Sequence, residues 1–213
     1  MKFIAAIGAS LIATTALAGA RDIHRVDGAV SVDCAHAGDN IATVDGPISI
    51  EDHCSVGTVK TVDGSIKLGA YARAESLRSV DGELTLGEGS QVARDAKTVD
   101  GTILLRPSAE VTGAVASIDG RIQLLAAHVG GGISTVDGDI DVGHDSHVEG
   151  GILVDRIHSS GGHSHPPIVT IGPGATVEGT LRFRQPVKLY VSDKARIGPV
   201  EGSQPIPFSG DRP

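Results

Sequence analysis

Aromatic side chains are almost missing from this sequence: of 213 residues none is Trp, two are Tyr and three are Phe. Sugars and bases are commonly held by stacking on aromatic rings, so a chain this poor in them has few such platforms. Positive charge is also short. Eighteen Lys and Arg stand against 26 Asp and Glu, and the net charge of −8 opposes binding to nucleic acid or anionic lipid. Two cysteines, Cys34 and Cys54, are too few for a disulfide-dense scaffold. No Gly-x-Ser-x-Gly elbow and no phosphate-binding loop occur, so the usual signatures of a hydrolase or nucleotide enzyme are absent.

The one long apolar run is at the start. Residues 1–20 read as a signal peptide, with Lys2, an apolar stretch from Phe3 to Leu17, and small residues Ala16, Ala18 and Ala20 for cleavage. The stretch is short for a membrane span, and no transmembrane segment is expected once it is removed. A bacterial exported protein, periplasmic or extracellular, is the expectation. Loss of Lys2 changes the net charge from −8 to −9.

What the chain does have is a repeat. The triad Val/Ile-Asp-Gly recurs at Asp27, Asp45, Asp63, Asp81, Asp100, Asp119 and Asp137, with gaps of 18, 18, 18, 19, 19 and 18 residues. A fixed period of this length marks a stacked array. Apolar residues follow three and five places after each Asp, as in Ile48/Ile50, Ile66/Leu68 and Ile103/Leu105, which is strand alternation. A second apolar column lies eleven places on (Val56, Ala74, Val92, Val111, Val148), preceded by a column of small residues (Cys54, Ala72, Ser90, Ala109, Ser146). A third (Ile41, Val59, Leu77, Ala96, Val115, Ile133, Ile152) leads back to the next triad. The 19-residue gaps place their extra residue between the second and third columns.

These columns predict an all-β, single-domain parallel β-helix: a three-sided solenoid of about 18 residues per turn and roughly nine turns, right-handed favoured. The solenoid is expected over 21–197, with a His-rich loop inserted at 156–167 and a Pro-rich tail over 198–213. Segments such as Leu86-Gly-Glu-Gly-Ser90-Gln-Val92 and Ile171-Gly-Pro-Gly-Ala175-Thr-Val177 resemble the repeats of bactofilins, bacterial polymer-forming β-helix proteins. The Val-Asp-Gly-x-Ile-x-Leu half resembles adhesin-like β-helix domains of bacterial envelopes. The Ile-Gly-x-x-Ala-x-Val grammar is also similar to the left-handed hexapeptide acyltransferases. The first two resemblances imply a structural rod that binds copies of itself or a component of the cell envelope. Bactofilins are cytoplasmic, so the signal segment departs from that family.

Three groups of residues are candidates for chemistry. The Asp column at the repeat turn reads first as a local device, each Asp accepting hydrogen bonds within its own turn while Gly supplies an unusual backbone shape. A row of divalent cations is the sharper alternative. The Ser/Thr column two places before the Asp (Thr43, Thr61, Ser79, Thr98, Ser117, Thr135) reads as outward strand positions. His144, His147, His158, His163 and His165 form a cluster that would suit zinc, copper or nickel, or else a solvated loop. His128 falls in the small-residue column. Cys34 and Cys54 are expected to form a disulfide, with a zinc site shared with His36 and His53 as the alternative.

The functional expectation is a non-enzymatic exported structural, adhesive or self-associating envelope protein, with no cofactor. Metal or ligand binding through the His loop is the second reading, and a carbohydrate-active enzyme the third. The regular acidic column is not the local cluster of acids such an enzyme needs.

Overall fold

The computed structural model describes residues 22–36, 38–156 and 165–213. Residues 1–20, read above as a signal peptide, and most of the inserted loop, including His158 and His163, lie outside the described residues. Among the described residues almost every element is a short strand, and the one helical segment is a single 3-10 turn at Cys34–His36.

Each coil contributes its Asp-plus-three to Asp-plus-five strand to one flat parallel sheet. Ten such strands stack from Val30–Val32 to Pro205–Phe208. The register is set by branched aliphatics: Ile48 pairs with Ile66, Ile66 with Leu84, and Ile103 with Leu84 and Ile122. Residues of one parity point inward, so Ile50, Leu68, Leu86, Leu105, Leu124 and Val142 form one continuous buried stack. Burying a side chain of this size contributes about 1.5–3 kcal/mol, and every coil repeats it.

The other two faces belong to a single 16-stranded sheet. They join because Ser55–Lys60 and Arg73–Arg78 each run through both faces without a break. From the next coil on, one more residue separates Val92 from Ala96 than separates Ala74 from Leu77. The strand therefore splits into Gln91–Val92 and Ala96–Lys97, and the extra residue makes a true third corner. Asp95 fills that corner: its carboxylate accepts from the Ala114 backbone N–H at 3.0 Å and from Lys97 Nζ at 2.7 Å, and these bonds hold it below its ordinary carboxyl range.

Two expectations are corrected. The solenoid has ten coils rather than nine, a rod on the order of 45 Å long at a spacing of about 4.8 Å. The tenth coil comes from the Pro-rich segment, whose Val200–Glu201 and Pro205–Phe208 join the two sheets. Proline is tolerated there because this is the last strand. Asp193 N–H donates to Phe208 C=O at 3.0 Å, so residues of Phe208's parity face the sheet. Pro205 and Pro207 have the other parity and face the free edge, where a missing N–H costs no ladder bond.

The second correction concerns His128. Its coil has one residue fewer between Leu124 and Ala127 and one more between Val129 and Ile133, so two irregularities cancel in an 18-residue spacing. Ala127 takes the buried small-residue position. His128 is thereby turned outward, paired in register with Glu110 and His147.

Across the inserted segment the ladder resumes in register, Ile140 with Val169 and Val142 with Ile171. Cys34 and Cys54 form the disulfide, with Cα atoms 4.7 Å apart. Their separation of 20 residues is two more than a coil, and the 3-10 turn at Cys34–His36 absorbs the difference.

Candidate functional site

The repeat triad builds the most regular surface feature. At each Asp-Gly corner the main chain carries the contacts between coils: Asp63 N–H donates to Val44 C=O at 2.7 Å, and Asp63 C=O accepts from Gly46 N–H at 2.8 Å. The same pair of bonds recurs at Asp81 (2.7 and 2.9 Å) and Asp100 (2.8 and 3.0 Å). The turn is thus secured between neighbouring coils by the backbone, where the sequence suggested bonds within one turn. The Asp45, Asp63, Asp81 and Asp100 side chains stand exposed in a column.

The Ser/Thr column faces inward, contrary to the outward reading. Thr43, Thr61, Ser79, Thr98, Ser117 and Thr135 are all buried. All but the Thr61 hydroxyl reach carbonyls at the corner: Thr98 Oγ1 lies 3.4 Å from Val80 O and Gly82 O, and Thr135 Oγ1 donates to Ile118 O at 3.3 Å while accepting from Gly138 N–H at 2.9 Å. A small hydroxyl residue fits because the chain turns there, and the peptide groups of a turn need partners that an aliphatic side chain would not supply.

Inward Ser/Thr forces the next residue out. Val44, Val62, Val80, Val99 and Ile118 follow them as exposed large aliphatics, and with Val26, which follows the exposed Arg25, they are 39 to 75 % accessible and stack as a ridge along the rod. Beside the ridge runs a groove of about 750 Å³ floored by the Ser/Thr column. Its far wall is the outward column of the third face, in which Ala42, Lys60, Arg78, Lys97 and Ala116 occupy successive coils. Crossing this surface, one meets cations, then the groove, then the aliphatic ridge, then the Asp column.

The His residues form a separate strip. His128 and His147 face each other across neighbouring coils with ring centroids 5.3 Å apart. His128 Nε2 lies 3.0 Å from Glu149 Oε1 and His128 Nδ1 lies 3.8 Å from Glu110 Oε1; His147 Nε2 lies 2.9 Å from Glu178 Oε1. His144 is turned to its neighbour Asp145 at 3.6 Å, and His165 is exposed. The rings of His128, His144 and His147 are thus engaged by carboxylates, and among the described residues no three His, Cys, Asp or Glu side chains gather for a metal ion. Sequence reasoning grouped His147 with the loop; the structure groups it with His128, Glu110, Glu149 and Glu178. Their spacing of one coil was the signal, obscured by the cancelling irregularities on either side of His128.

At the amino-terminal end, both cysteines of the alternative zinc set are taken by the disulfide, and His53 stacks on Tyr71 at 5.2 Å instead. Near the other end the last residues return over the first sheet, where Arg212 joins Arg121, Asp141 and Thr170 around a pocket of about 510 Å³. Burial pushes the Asp141 carboxyl upward, opposed by the charges of Arg212 and Arg121. Among the described residues no helix is long and apolar enough to cross a membrane.

No family model, curated protein or solved structure matches this chain. The likeness to bactofilins and adhesin-like domains therefore rests on the repeat pattern and the β-helix it builds.

Proposed function

We propose that this chain is a non-enzymatic exported structural protein of the cell envelope that works by display, as an adhesive or self-associating rod. The observation that carries this reading is the repetition of one outward pattern over successive coils from Val26 to Ile118: an aliphatic ridge and an acidic column, with a groove running beside the ridge. A surface repeated over six successive coils suits many equivalent weak contacts with an extended partner or another rod, whereas an enzyme concentrates its reactive groups in one place. The disulfide between Cys34 and Cys54 supports residence in an oxidising compartment, where such bonds persist. The acidic balance supports a partner other than nucleic acid.

The reading is tested with the mature chain. Light scattering and electron microscopy across a concentration series are expected to show assemblies that grow with concentration, or co-sedimentation with isolated cell envelopes. A protein that stays monomeric at every concentration and leaves envelope material unbound would refute it. Turnover on a polysaccharide panel would replace it with the enzyme reading.

A further inference from the structure

An exposed row of six aliphatic side chains is unusual on a soluble rod and calls for a cover. Resting on the self-association reading above, we propose that the ridge, groove and flanking charges form one interface for a second copy of this chain. The two rods lie side by side and point the same way, related by a two-fold axis parallel to the rod.

The argument is one of symmetry. On this face the groove and the ridge run parallel, with the groove on the Lys60 side and the ridge on the Asp63 side. A two-fold parallel to the rod exchanges left and right while keeping height. It therefore lays the ridge of each copy in the Ser/Thr-floored groove of the other, an isologous contact in which shape matches shape. The same operation brings Lys60 and Arg78 of one copy to the side on which the other presents Asp63 and Asp81. A two-fold across the rod would keep left and right, setting ridge against ridge, cations against cations and aspartates against aspartates. Only the parallel arrangement complements both shape and charge.

Charge also argues for a second copy over other occupants. Lys60 and Arg78 occupy neighbouring coils, and Lys97 next to them is already paired with Asp95. The acidic column on the other flank would repel an anionic amphiphile lying along the ridge, whereas a copy of this chain brings both signs in the same order. End-to-end growth at the carboxyl end is blocked, because Pro205 and Pro207 leave the free edge without N–H donors at those positions. The sides of the rod remain.

The experiment is sedimentation equilibrium of the mature chain at low and high salt, with circular dichroism to verify the fold of each variant. A dimer that weakens with salt is expected. Val80→Asp should weaken it at least tenfold, since Val80 is exposed and its change leaves the core intact. Arg78→Asp and Asp81→Arg should each weaken it severalfold, and the double variant should return it to within about threefold of the parent, because each exchanged pair then attracts again. Association that ignores Val80→Asp and the charge reversals would overturn this interface while leaving self-association standing. A monomer at all concentrations would overturn both. Protection of the groove by dodecyl phosphate in a monomeric chain would identify an amphiphile site and overturn the second copy as its occupant.

Discussion

Gly46 sits so closely over Gly28 that a Cβ on Gly46 would come within 2.6 Å of the Gly28 carbonyl oxygen. The same contact recurs between Gly64 and Gly46, Gly82 and Gly64, and Gly101 and Gly82, with φ at +152° for Gly64. Stacked coils leave no room for a side chain at this corner, and the backbone angle disfavours one in any case. Gly64→Ala is therefore expected to lower stability by about 2–3 kcal/mol and the melting temperature by several degrees, read by thermal denaturation. An unchanged melting temperature would contradict the stacking.

Thr135 and Thr61 hold equivalent positions in different circumstances. The Thr135 hydroxyl bridges Ile118 O and Gly138 N–H, whereas Thr61 Oγ1 is buried without a partner among the described residues. Thr135→Val should cost about 1–2 kcal/mol, because it strands a backbone N–H. Thr61→Val should be neutral or stabilising, because it removes a buried hydroxyl that gains nothing. Denaturant titration of the two variants side by side checks the contrast.

The Cys34–Cys54 bridge closes a loop of 20 residues onto the first coils. Chain-entropy reasoning assigns such a loop about 3 kcal/mol. In a solenoid each coil depends on its neighbours, so the loss in the Cys34→Ala, Cys54→Ala double variant should be local. Hydrogen exchange is expected to quicken in the first two coils, near Ile41 and Ile48, and to stay slow near Leu105.

Asp141 lies on the first sheet under the carboxyl-terminal residues, and burial raises its carboxyl above the ordinary range. The folded chain therefore holds this proton more tightly than the unfolded chain does. The resulting stability is fully present below the unfolded value and is lost as pH rises through the folded one. Asp141→Asn should be more stable than the parent at pH 7, by on the order of 0.5 kcal/mol, and equal to it near pH 3. Melting curves at both pH values decide this.

The architecture was readable because its cause is local and repeated. A spacing of 18 with alternating Ile, Leu and Val can be satisfied only by coils that stack those residues on one another, so Ile48, Ile66 and Leu84 announce the sheet that they form. Cys34 and Cys54 were readable as a pair for the plain reason that there was no third candidate. The candidate site was less legible. Thr98 and Val99 look like an ordinary inward-or-outward choice in a linear pattern, and the choice went the other way because a corner intervenes and its carbonyls need the hydroxyl. His128 was placed one position off because a deletion and an insertion in the same coil cancel in the count.

By itself the sequence determined the period, the three faces and the buried aliphatic stacks, since each depends on residue type at fixed spacing. Only the tertiary structure decided which flank of the Asp-Gly corner is dry, that the prolines of the tail close a tenth coil, and that Val62 and Val80 stand as a ridge between Arg78 and Asp81. Those outcomes depend on the direction in which the chain bends between strands. Bending is decided by packing against the coils above and below.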